Sequence, residues 1–79
     1  MPSTKYIYQI MLADLRNQFG PKDTGVVILA NNEHFMDESD RNIVSILHRL
    51  DLQMKQVCPD DQYNLFRQYK SMLLGNLDI

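Results

Sequence analysis

Between Ile43 and Val57 the apolar residues Ile43, Leu47, Leu50, Met54 and Val57 recur in alternating steps of four and three. That spacing gathers side chains into a seam along one side of an α-helix. Arg41, His48, Arg49 and Lys55 fall away from it. Val44 and Ile46 flank the seam, so the apolar surface is broader than a two-stranded coiled coil needs and predicts two neighbours. One is the last helix, returned antiparallel by the tight Cys58-Pro59 connection. The other is expected to be the first helix, or its copy in a second subunit.

The remaining pattern is helical as well. A first helix is expected to follow Ser3 or Thr4, whose hydroxyls suit a cap, and to run to Phe19, where Gly20-Pro21 stops it. Tyr8, Leu12, Leu15 and Phe19 make one stripe, and Ile7, Ile10 and Met11 widen it almost around the first two turns, so this helix should be covered on more than one side. After "GPKDTG", the run Val26-Val27-Ile28 has strand propensity, but a lone strand has nothing to pair with. A short helix capped by Asp23 or Thr24 and ending near Asn31-Asn32 is expected, with a strand paired across a dimer axis as the alternative. The third helix starts at Asp37 or Ser39, with Glu38 and Asp40 suiting the helix dipole, and stops before Pro59. Pro59 is placed at the first position of the last helix, followed by Asp60 and Asp61. That helix carries Tyr63, Leu65, Phe66, Tyr69, Met72 and Leu73 and stops at Gly75-Asn76.

Length changes the picture. A chain of 79 residues makes one domain, spanning 1–79, and domains this small commonly need a disulfide, a metal or a partner subunit. Cys58 is the only cysteine, so no internal disulfide forms, and a lone thiol fits a reducing compartment. Association remains, and a homodimer with Ile43, Leu47, Leu50, Met54, Val57, Phe66 and Tyr69 in its core seam is expected. The longest apolar run, Val26 to Ala30, is too short to span a bilayer, and "MPSTKYIYQI" has no signal-peptide pattern. A cytoplasmic location is expected.

Composition is that of an ordinary globular domain, 44% hydrophobic and 23% charged, with eight basic and ten acidic residues for a net charge of −2. A general nucleic-acid binder would carry a net basic surface. One basic face is nevertheless available, formed by Arg41, Arg49 and Lys55 with Arg67 and Lys70, although no aromatic is interleaved to stack on bases.

Little in the chain suggests reaction chemistry. His34 and His48, with Glu33, Asp37, Glu38 and Cys58, lack the spacing of zinc or EF-hand ligands, and Gly20, Gly25 and Gly75 are isolated turn glycines, not a phosphate loop. No catalysis, cofactor, metal, membrane contact or small-molecule substrate is expected. Large rigid side chains are the better signal of binding. Tyr6 and Ile10 point away from Leu12 and Leu15, and with Tyr63 they are the candidate partner-binding residues.

Arg41-Asn42-Ile43, then Leu47-His48-Arg49-Leu50-Asp51, then Tyr63-Asn64 resemble the second half of the small enterobacterial AriR-like proteins, the biofilm-development and two-component connector family. The resemblance implies a helical homodimer that adjusts stress, acid-resistance and biofilm regulation by binding signalling proteins or DNA. The stretch from Leu50 to Leu73 also resembles the helical hairpin of small type III secretion co-chaperones, which implies that the seam is an open groove for an export substrate.

These readings define the expectation: an all-α domain of three to four helices with a C-terminal antiparallel helical hairpin, homodimeric, acting as a regulatory adaptor by protein binding. A nucleic-acid-associated regulator is the alternative and a co-chaperone the second alternative.

Overall fold

A computed structural model describes residues 2–77. It is all-helical: α1 (Thr4–Phe19), α2 (Thr24–Asn31), a 3-10 segment (Glu33–Asp37), α3 (Asp40–Val57) and α4 (Asp60–Asn76). No strand occurs among the described residues.

The starts of α1, α2 and α3 are written in local chemistry. Ser3 Oγ accepts the Tyr6 amide, Asp23 Oδ2 accepts the Val26 amide, and Ser39 Oγ accepts the Asn42 amide, each satisfying a donor that the first turn leaves free. Gly20 ends α1 at φ 95°, a conformation that side chains with a Cβ disfavour. The Val26-Val27-Ile28 run is helical. Pro59 caps α4 instead of occupying its first turn, a displacement of one residue.

The core closes within the single chain. Ile7, Tyr8, Met11, Leu12 and Leu15 of α1 meet Val26 and Leu29 of α2, Phe35 and Met36 of the 3-10 segment, Ile43, Leu47, Leu50 and Met54 of α3, and Phe66 and Leu73 of α4. The radius of gyration is 11.6 Å, matching the roughly 12 Å expected of one compact domain of this length. Tyr8 is fully enclosed, its ring edge-on to Phe35 at 5.3 Å and its hydroxyl donating to the Leu29 carbonyl at 2.6 Å. Burial pushes its pKa up, because the phenolate would lose its solvation there.

Two expectations are corrected. The second neighbour of α3 is not α1: it is α2 together with the 3-10 segment, while α1 packs mainly on α4. The residues that made the difference are Phe35 and Met36, two adjacent apolar side chains with no helical period that fill the layer beside the seam. Val57 does not belong to the buried seam and is 46% exposed. It lies in the last turn of α3, where the inward place passes to Cys58, which sits against Gly25. A Cβ on Gly25 would fall 2.7 Å from Cys58 Sγ and 2.9 Å from Gln62 Nε2, so glycine is what lets α2 approach the α3–α4 turn. Gln62, the one fully buried polar side chain among the described residues, donates to the Asp23 carboxylate. Asp23 therefore caps α2 and also fastens it to α4.

Candidate functional site

Two flanks of α4 carry the groups of interest. Toward α3, Asp51 accepts the Tyr63 hydroxyl at 2.5 Å on one oxygen and Lys70 Nζ at 2.5 Å on the other, which fixes the two helices antiparallel. The ion pair is largely shielded, with side-chain exposures of 12% for Lys70 and 13% for Asp51. Burial raises the Asp51 pKa, but the hydrogen bonds from Lys70 and Tyr63 and the charges of Lys70 and Arg67 outweigh it, and the carboxyl ends below its usual range. The same hydrogen bond raises the Tyr63 phenol. Arg67 stands 6.0 Å from the Tyr63 ring centre, the outer reach of a cation–π contact.

Beside this cluster a half-open cavity of about 300 Å³ is lined by His48, Arg67, Lys70, Ser71 and Leu74. The expected basic face is thus divided. Arg67 and Lys70 meet at the cavity, and Lys70 is not free, because Asp51 holds it. Arg41 and Lys55, seven residues to either side of His48, lie on the same line of α3, each about 10 Å along the helix from it. Arg49 follows His48 and is turned about 100° away, so it does not share this face. Asp51, Ser71 and Leu74 were not singled out by the sequence pattern. Only the antiparallel register of α3 and α4 brings them beside His48.

Toward α1 the contacts differ. Tyr69 donates to Asp14 at 2.6 Å, and Asn76 donates to Thr4 Oγ1 at 2.9 Å and to the Pro2 carbonyl at 3.3 Å, so these helices are also antiparallel. The Asp14 hydrogen bond pushes the Tyr69 pKa up to about 12, while Tyr69 and Gln18 together lower Asp14. This register sets Ile10 and Met72 at one level of the seam, a turn beyond the Asp14–Tyr69 bond. Both are exposed, Ile10 at 41% and Met72 at 55%, and Tyr6 one turn earlier is 54% exposed. Tyr63, the third candidate for partner contact, is half-buried and tied to Asp51. The two histidines are apart in role: His48 lines the cavity, and His34 is exposed in the 3-10 segment. Among the described residues no three His, Cys, Asp or Glu converge as metal ligands, and no helix is long and apolar enough to cross a membrane.

Compared with known proteins, the chain matches no family model, no curated protein and no solved structure.

Proposed function

We propose that the protein is a non-catalytic regulatory adaptor that binds another protein through the outer face of α1 and the adjoining edge of α4. The observation that carries this reading is the exposure of Tyr6, Ile10 and Met72 on a fold whose other large apolar side chains of α1 are buried or, at Phe19, partly buried. Contiguous apolar surface on a small protein favours a partner, and a tyrosine buries much area at low entropic cost. The resemblance of Arg41 to Asn64 to the AriR-like connectors supports a signalling protein as that partner and a homodimer as the working state. In the co-chaperone reading the seam is an open groove, whereas here Ile43, Leu47, Leu50 and Met54 are covered by the chain itself.

The test places a photo-crosslinking residue at Tyr6, identifies the adduct by mass spectrometry, and measures binding of the purified partner. Tyr6→Ala is expected to leave Tm within a few degrees and to abolish that binding. Sedimentation of the same variant tests the dimer: a fall from twice to once the chain mass places the second copy on this face. Loss of folding in Tyr6→Ala sinks the reading, because the side chain is then structural.

The nucleic-acid alternative is favoured by one feature, the alignment of Arg41, His48 and Lys55 beside Arg67. Duplex binding with a steep salt dependence, lost in Arg41→Glu/Lys55→Glu, would establish it in place of the adaptor.

A further inference from the structure

We infer that the cavity between α3 and α4 is a binding site for a small phosphomonoester. This inference stands independently of the adaptor reading, since it rests on a different face of α4.

The cavity brings together four donor side chains with one apolar wall. Arg67 offers a fork of N–H groups, and a guanidinium matches the oxygens of a phosphate in pairs. Lys70 uses one N–H on Asp51 and has two more to give. Ser71 adds a hydroxyl, and His48 adds a ring N–H from the opposite helix. Both oxygens of Asp51 are engaged, by Tyr63 and by Lys70, so the carboxylate orients the ammonium at the cavity wall instead of presenting free acceptors to a ligand. With Arg67 and Lys70 against Asp51, the local balance is one positive charge before His48 is counted, which suits an anion.

Size and shape narrow the class. About 300 Å³ is the lower end of small-molecule sites, room for a phosphoryl group and a short carbon skeleton. Leu74 supplies an apolar surface for that skeleton. A nucleic-acid backbone, by contrast, needs a run of free cations, whereas here Asp51 holds Lys70, Arg41 and Lys55 each stand about 10 Å along α3 from His48 and outside the cavity, and the chain as a whole is acidic.

The test is an amide-resonance titration of the full chain at pH 7.5 and constant ionic strength. Inorganic phosphate and glucose 6-phosphate are the probes, with sulfate and glucose as controls. Saturating shifts centred on His48, Arg67, Lys70 and Ser71 are expected for both phosphates, with a dissociation constant below about 1 mM for the ester. Arg67→Gln should weaken binding by at least about tenfold, and Arg49→Gln should leave it unchanged. Lys70→Met strands Asp51 and can fail to fold, so the exposed Arg67 carries the test. No saturating shift up to 10 mM, equal response to sulfate, or equal weakening by Arg49→Gln overturns the site. Preferential binding of a 20-base-pair duplex with shifts extending to Arg41 and Lys55 overturns it in favour of nucleic acid.

Discussion

Toward α1, the last helix offers uncharged groups, the Tyr69 phenol to Asp14 and the Asn76 amide to Thr4. Toward α3 it offers an ammonium, Lys70, closed against Asp51 with little solvent around either. The two flanks solve the same problem, fastening α4 antiparallel to a neighbour, at different risk. A hydrogen bond from a neutral donor to a partly exposed carboxylate contributes about 1.5 kcal/mol and leaves only a neutral hydroxyl behind when the acceptor is removed, whereas a shielded ion pair contributes little net and is costly to break from one side. The flank whose donors are neutral is therefore suited to hold shape, and beside it Ile10 and Met72 leave the surface apolar. The charged flank is suited to hold fixed charges at a cavity edge.

The comparison can be broken first at what lies beneath both flanks. Phe66 is fully buried on α4, and Phe66→Ala should cost about 3–5 kcal/mol, enough to unfold most of a marginally stable domain. Urea denaturation followed by circular dichroism checks this, and a loss under 1 kcal/mol would mean that α4 is seated otherwise.

Next in size is the contrast itself. Asp51→Ala leaves Lys70 unpaired in a shielded place and should cost about 3 kcal/mol, while Asp14→Ala, which frees only two neutral donors, the Tyr69 hydroxyl and the exposed Gln18 amide, should cost about 1.5. The double variant Asp51→Leu/Lys70→Met should recover most of the larger loss. Equal costs at Asp51 and Asp14 would erase the distinction between the flanks.

The pH profile sharpens it further. Asp51 titrates below its usual range when folded, and the unfolded chain takes up its proton first, near the ordinary aspartate value of about 3.9. Its contribution is thus complete above that value and is lost as pH falls through the folded one. Tyr69 is the reverse case: its folded pKa is about 12, so its contribution holds below the ordinary value of about 10 and is lost as pH rises toward 12. Asp51→Asn should flatten the acid limb of stability, and Tyr69→Phe the alkaline limb, in thermal melts from pH 3 to 12.

The smallest effect is expected at Val57. It sits on the seam's spacing but outside the core, and Val57→Ser should change stability by no more than about 0.5 kcal/mol. A loss above 2 kcal/mol would show that the last turn of α3 is covered after all.

Val57 also marks where sequence reading ends. Caps and stops are local chemistry, so Ser3, Asp23, Ser39 and Gly20 announced the helices they bound. The seam of Ile43, Leu47, Leu50 and Met54 was legible for the same reason, since period belongs to one helix. What covers a seam belongs to another element, and nothing in the spacing of α3 named Phe35 and Met36 or told Val57 from Met54. The cavity was half legible: Arg67 and Lys70 stood out as cations on one helix, but their meeting with His48, and the capture of Lys70 by Asp51, depend on how two helices are set side by side. Tyr6 and Ile10 were readable as excess apolar surface, and Met72 joined them only through the register of α4 against α1.

The close approach at Gly25 gives the molecule a built-in chemical clock. Cys58 lies under α2, half-buried, and burial together with the nearby Asp23 charge raises its thiol pKa, so little thiolate is present at neutral pH. Alkylation of this single thiol is expected to quicken when α2 lifts from the turn between α3 and α4. The labelling rate therefore rises with excursions of one short helix, and a ligand or partner that steadies that corner is expected to slow the clock without touching the cysteine.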